Sequence, residues 1–459
     1  MRVVLTAFAL WIVAAAATAA ELERETLAAD DGWAAFGAGT SGGSLAADDH
    51  VYTVTTRREF IAALNDGVPA STSPANPSNV PKIIRVEGTI DFNVDDNNQP
   101  LACESYFRPD PTTGVLFSYE AFAAAFDPNT WGRVNPSGPQ ERARVASAAA
   151  QQARVRIRPG SNTTIVGVGK DATLKGIWMD IRGTANVPNS RTNIIVRNLS
   201  FVDTYDCFPQ WAPTDGAQGS WNALYDSISL RDSNNVWVDH NRFEDVATAD
   251  DSLPAKFGVL FQVHDGLLDI TNASDLVTVS WNVFRDHDKV MLIGSSDNAP
   301  ADVGKLRVTL HHNLFDDLGQ RGPRVRFGQV HIYNNYYKIC STPGYAYSLG
   351  VGIQSQIYAE ENFFLVDPGA IALARIIGRF NGTNIFEAGS LVGSVPRPAS
   401  QARYVDLVAE YNAVNNPDLV PTVGWAPALF RNLHNAHAVP PRVTLQAGPA
   451  SSVSALGCR

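Results

Sequence analysis

The sequence predicts an all-β chain wound into stacked coils, a parallel β-helix, and three observations carry that prediction. One phrase recurs five times between residues 236 and 364: apolar, x, apolar, x, x, Asn, x, aromatic. Successive copies are 22 to 41 residues apart, which is the range of repeat architectures. Hairpin dipeptides such as Asn-Gly, which an antiparallel sandwich of short strands would need, are scarce between the copies.

The copies are Val236–Phe243, Val277–Phe284, Val308–Phe315, Val330–Tyr337 and Ile357–Phe364, with a looser one at Ile194–Phe201. In each, apolar alternation over three residues reads as a short strand with one face buried. The Asn is expected to turn the chain, because it tolerates left-handed backbone and bonds to its neighbours. Equivalent Asn side chains should then stack into a hydrogen-bonded ladder. The aromatic opens the next strand and belongs to the core, as does Trp237. The part of the period that varies should form long loops on one side, where binding groups gather. Arg57–Asn65 is amphipathic and predicts a short helix capping the N-terminal end, which a solenoid needs covered. Residues 91–153 lack the repeat and read as an insertion, with helix around Tyr119–Phe126 and Gln140–Ala153. The chain after Asp367 is irregular and is expected to pack along the outside of the stack.

Met1-Arg2, the apolar run Val3–Ala17 and the small residues Ala17-Thr18-Ala19 have the form of an export signal. Residues 1–19 are therefore expected to be removed, leaving one domain over 20–459, secreted and extracellular. No later run of about 18 apolar residues exists, so no membrane partner is expected. The net charge of −10 argues against nucleic acid. A polyanionic sugar would require positive charge concentrated in a cleft. Cys103, Cys207, Cys340 and Cys458 could form one or two disulfides after export, with three possible full pairings.

The chemistry concentrates between residues 265 and 326. Asp265-Gly-Leu-Leu-Asp269 comes first, then Asp286-His-Asp-Lys289, then Arg321-Gly-Pro-Arg324-Val-Arg326. Carboxylates can hold a hard cation, and a nearby lysine and arginine set can hold an anionic substrate. Together they point to metal-assisted chemistry on an acidic polymer.

On these and further motifs the chain resembles the secreted pectate lyases of polysaccharide lyase family 1. The resemblance runs through Gly32-Trp33-Ala34, Val51–Phe60, Trp221–Ser229 and Val236–His240. It is most specific at Arg321-x-Pro323-x-x-Arg326-x-Gly328-x-x-His331, followed by Asn335. A Val usually stands three residues before the first Arg in that family; here it is Leu318, which touches no chemistry. The resemblance implies a right-handed parallel β-helix of the pectin lyase-like kind, Ca²⁺ dependence, and β-elimination on polygalacturonate; a monomer is expected.

Residue by residue, Asp226, Asp265 and Asp269 match the family's calcium aspartates, and Lys289 a lysine that binds the carboxylate of the sugar being deprotonated. Arg321 matches the proposed base at C5, and Arg326 a substrate-binding arginine. Arg324 lies between them, and Lys256, in the loop Asp250–Phe257, is a further candidate for substrate contact. A protonated guanidinium is a poor base, so that role requires like charges beside Arg321; otherwise it stabilises charge while water takes the proton. His240, His264, His287 and His331 accompany these motifs, but Ca²⁺ prefers oxygen, and a structural role is expected for them. Three rivals remain. A pectin lyase would lack the acidic trio. A hydrolase would need paired carboxylates, for which Asp250-Asp251 is the one tempting pair. A non-catalytic wall-binding solenoid would have no use for Lys289 with Arg321.

Overall fold

Three long sheets run the length of the chain and face one another around a common core, as seen in a computed structural model that describes residues 22–184, 187, 190–339, 344–367, 371–394 and 401–449. The expected export signal, Cys340 and Cys458 lie outside the described residues. The first sheet has ten strands, from Val51–Val54 to Ile385–Ala388. The second also has ten: nine from Thr89–Asp91 to Leu391–Ser394, closed by the antiparallel strand Arg403–Tyr404. The third has eight, from Arg156–Ile157 to Ile377–Phe380. Each coil visits the third, first and second sheet in turn, and all other pairings between coils are parallel. This is the right-handed parallel β-helix that the repeat and the resemblance predict.

Register explains why the repeat has its form. Parallel stacking places the same repeat position of successive coils side by side, so one residue type recurring there makes a continuous row. Phe201, Phe243, Phe284, Phe315, Tyr337 and Phe364 stack ring on ring, with centroids 4.6–5.2 Å apart along the core. Beside them Asn241 donates through Nδ2 to Asn282 Oδ1 at 3.1 Å, Asn282 to Asn313 at 3.0 Å, Asn313 to Asn335 at 2.9 Å and Asn335 to Asn362 at 3.2 Å. The ladder ends on a backbone N–H of Leu199 and on the Ser390 hydroxyl. Asn282 is fully buried and also donates to the Val238 and Ser280 carbonyls. Asn282→Ala therefore strands several buried polar groups and is expected to cost about 3 kcal/mol, read from the urea midpoint. A loss below about 1 kcal/mol would mean that the ladder relaxes around the gap.

The left-handed turn sits one residue earlier than expected. His240, Trp281, His312, Asn334 and Glu361 have φ between 51° and 56°, whereas the ladder Asn that follows each of them does not. The Asn acts as ladder donor and acceptor, and the residue before it absorbs the bend. In the looser copy Asn198 takes the bend (φ 56°) and Leu199 the ladder position.

The helix and the insertion follow the expected plan, but the chain just after Asp367 does not. Ile377–Phe380, Ile385–Ala388 and Leu391–Ser394 add a further coil in parallel register, because their apolar residues continue the core rows, and only the chain beyond them leaves the stack. Arg57–Leu64 is helical, with Thr56 and Glu59 forming a reciprocal capping box. Its Phe60, Ile61 and Leu64 are buried in the core with Ile84 and Phe92 at the N-terminal end. The insertion carries helices Tyr119–Ala125, Pro128–Trp131 and Pro139–Val155 and has its own aromatic cluster. The Cys103–Cys207 disulfide ties it to the stack. Trp237 is buried, but on the outer side of the first sheet, under Ala34 and Ala35. The N-terminal segment reaches that sheet because Gly32 has no side chain: a Cβ there would lie 2.6 Å from Thr278 Oγ1. Ala34 and Trp33 then donate backbone N–H groups to the Thr278 and Thr309 hydroxyls. No helix among the described residues is long and apolar enough to cross a membrane.

Candidate active site

Four successive coils supply the predicted groups at one side of the third sheet. Asp226 precedes strand Ile228–Arg231, Asp265 and Asp269 flank the start of Leu268–Thr271, Lys289 precedes Leu292–Ile293, and Arg321, Arg324 and Arg326 surround Arg324–Val325. These strands pair in parallel, so the side chains stack across coils. Asp265 lies in the bend before its strand and only Asp269 in the strand itself.

The three carboxylates converge around Gly266. Asp226 Oδ1 accepts from the Gly266 N–H at 2.9 Å, and its other oxygen accepts from the Ser229 hydroxyl. A Cβ at Gly266 would stand 2.6 Å from Asp269 Oδ1 and 2.9 Å from Asp226 Oδ1, so the space between them exists only for glycine. Asp269 accepts from the Leu292 N–H at 2.9 Å. Asp226 and Asp269 are buried. Burial, then repulsion from Asp269 and Asp265, holds the Asp226 carboxyl well above its usual range. Burial, then repulsion from Asp265, pushes Asp269 up to about 6, against the opposing pull of Arg321 and Lys289. Such a concentration of buried negative charge is compensated when a cation sits among it. The donors are all carboxylate oxygens, the set that Ca²⁺ takes, so these residues fit that ion.

The cations border this set. Lys289 Nζ lies 3.1 Å from Asp265 Oδ1. Lys289 pairs across coils with Gln320, which places Arg321 one residue further on the next coil. Arg321 has φ 62°, a conformation that costs a side-chain-bearing residue energy and tends to persist at functional sites. Its buried Nε has no hydrogen-bond partner. The Arg324 guanidinium lies over Phe380, 4.0 Å from the ring centroid, and burial followed by the Arg326 charge lowers its pKa.

Arg326 is held by two partners that sequence reasoning missed. Its Nε donates to Asp297 Oδ1 at 2.5 Å and its Nη1 to the Gly294 carbonyl at 2.8 Å. Asn381 donates to the other Asp297 oxygen. Tyr347 was also missed: it is buried beside the three arginines, and its hydroxyl has no partner of good geometry.

Lys256 sits elsewhere. Its ammonium lies over the Phe261 and Tyr119 rings, at 3.7 and 4.2 Å, and burial lowers its pKa. These contacts belong to the aromatic cluster of the insertion.

The histidines are hydrogen-bonded. His240 meets Asp239 and His331 meets Glu360. His287 lies between Asp245 (2.6 Å) and the Asp265 carbonyl (2.9 Å). Burial opposes its charge, but Asp245 prevails and raises the imidazole to about 9. Asp245, Asp250 and His264 also come within 4.8 Å of one another. Both His264 nitrogens, however, face carbonyl oxygens, of Thr204 and Thr248. Each ring nitrogen is thus already taken by a backbone oxygen.

Known proteins match this chain over most of its length. The family model described as pectate lyase matches residues 134–413. A Bacillus subtilis (strain 168) protein named pectate lyase is 40% identical over 447 residues, 96% of this chain and 97% of its own. Pectate lyase E of Dickeya dadantii (strain 3937) is 34% identical, covering 82% of this chain and 79% of its own. Among solved structures, a thermostable pectate lyase aligns with a TM-score of 0.87 at 46% identity, over 94% of this chain and 99% of that one. A pectate lyase bound to a hexasaccharide aligns with a TM-score of 0.82 at 39% identity, over 94% and 99%.

Proposed function

This chain belongs to the pectate lyase family and is a polysaccharide lyase; on that premise we propose that it is secreted and cleaves α-1,4-linked polygalacturonate by calcium-dependent β-elimination, acting as a monomer. The observation that carries the proposal is the convergence of Asp226, Asp265 and Asp269 with Lys289 and Arg321, all of them in electrostatic reach of buried Asp269.

The hard step is removing a proton from C5 of a uronate, because the neighbouring carboxylate makes that carbon a poor acid. Lys289 binds this carboxylate and stabilises charge as it develops. Arg321, fixed by its backbone and with Nε unpartnered, takes the C5 proton in its uncharged guanidine form and becomes guanidinium. The electron pair left on C5 forms the C4–C5 double bond and expels the C4 glycosidic oxygen, which takes a proton from water and leaves as the hydroxyl of the departing sugar. Arg326, oriented by Asp297, presents its remaining nitrogen to a second uronate carboxylate. Asp226, Asp265 and Asp269 would hold Ca²⁺, which when bound supplies positive charge to the substrate carboxylate.

Elimination leaves an unsaturated uronate that absorbs ultraviolet light; hydrolysis leaves only a new reducing end. With polygalacturonate at alkaline pH, absorbance is expected to rise with calcium and to stop on adding excess chelator. New reducing ends without absorbance would replace the proposal with hydrolysis.

A further inference from the structure

Around the corner from the third sheet to the first lies a groove of about 690 Å³ that shares no lining residue with the group described above. Register builds its floor. Val308, Val330, Ile357 and Ile385 pair across four coils and are fully buried. The residues just before them, Arg307, Gln329, Gln356 and Asn384, therefore point outward in one row. At about 4.8 Å per coil the row is about 14 Å long, comparable with a few pyranose units. One wall is Val303–Lys305. The other is Val423-Gly424 of the outer C-terminal segment, pinned by Trp425 Nε1 to the Gln356 carbonyl (3.1 Å) and by Asn384 to the Thr422 carbonyl (3.0 Å).

Two features suit a sugar acid. Ser355 lines the groove and is 3% exposed, yet its buried hydroxyl has no partner. Lys305 and Arg307 are the charged lining groups, and both face Asp275. Arg307 is locked to Asp275 at 2.5 Å, whereas the Lys305 ammonium is 3.9 Å away and 42% exposed. The groove thus keeps positive charge on a chain whose net charge is −10. Amides and hydroxyls pair with sugar hydroxyls as donors or acceptors, and a loosely paired ammonium accepts a carboxylate.

We propose that this groove is a second, non-catalytic site for a short run of uronate, with Gln329, Gln356 and Asn384 meeting its hydroxyls and Lys305 one carboxylate. The inference rests on the polygalacturonate reading above. Cleavage-deficient Arg321→Lys, titrated with trigalacturonate in a calorimeter, should show two sites per chain. Adding Gln329→Ala and Gln356→Ala should weaken one of them by at least tenfold and leave the other unchanged. In the otherwise native enzyme, the same pair should raise KM for the long polymer about threefold without altering trigalacturonate turnover. Should the pair fail to fold, Lys305→Ala alone is expected to give the same split. One site in the titration, or two sites that ignore these substitutions, overturns the groove as a uronate site. A native enzyme that leaves polygalacturonate uncut overturns the substrate reading instead.

Discussion

Arg321→Lys is expected to lower kcat on polygalacturonate by about 10³-fold, the range of a lost general base, while KM moves by less than about twofold. The reason is local. Lysine keeps a basic nitrogen on a long side chain but lacks the guanidine nitrogens assigned to the C5 proton, on a backbone held at φ 62°. Because Arg321 Nε has no partner in the protein, the substitution strands nothing, and the melting temperature should hold. Arg326 makes the contrast: its removal would leave Asp297 with a broken pair, so that stability and KM would both suffer. Initial rates by ultraviolet absorbance, over a range of substrate, separate the two cases. A fall of less than about tenfold in kcat for Arg321→Lys would remove it from proton transfer.

Asp226→Asn is expected to act on stability and activity in opposite directions. Free carboxyls titrate near 3.9 in the unfolded chain, and folding raises both buried aspartates, Asp269 to about 6. The folded state therefore holds protons that the unfolded state has released. Through Asp269, stability of the calcium-free protein falls as pH rises from about 4 through about 6, and Asp226 adds a penalty of the same sign. At pH 8, the substitution removes a buried carboxyl whose ionisation is opposed by burial and by Asp269 and Asp265, so the calcium-free melting temperature should rise by a few degrees. The same change deletes a ligand oxygen with its charge. Calcium should then bind at least about a hundredfold more weakly and no longer stabilise the fold, and lyase activity should collapse. Scanning calorimetry with and without calcium at pH 5 and pH 8 checks both parts. If calcium still stabilised the Asp226→Asn variant, Asp226 would leave the ligand set.

What the sequence determined was whatever repeats or stays local. The Asn ladder and the aromatic stack were legible because parallel coils bring equal repeat positions together, so five copies of one phrase are one row of contacts. The capping helix was legible because the apolar residues of Arg57–Asn65 fall on one helical face, of which Phe60, Ile61 and Leu64 are buried. The acidic trio, Lys289 and the arginines were legible as residue types and motif matches, and the stack brings Asp226, Asp265, Asp269, Lys289 and Arg321 together.

The tertiary structure decided what depends on which coil lies beside which. The bend position escaped the sequence because five residues of mixed type occupy it, sharing a backbone conformation and no side-chain chemistry. Asp297 reaches Arg326 across 29 residues and His287 reaches Asp245 across 42, distances set by loop lengths that follow no period. Cys103 finds Cys207 across 104 residues, through an insertion with its own aromatic core. Lys256 shows the same limit: near the motifs in sequence, it folds onto that cluster, where its ammonium sits over the Tyr119 and Phe261 rings.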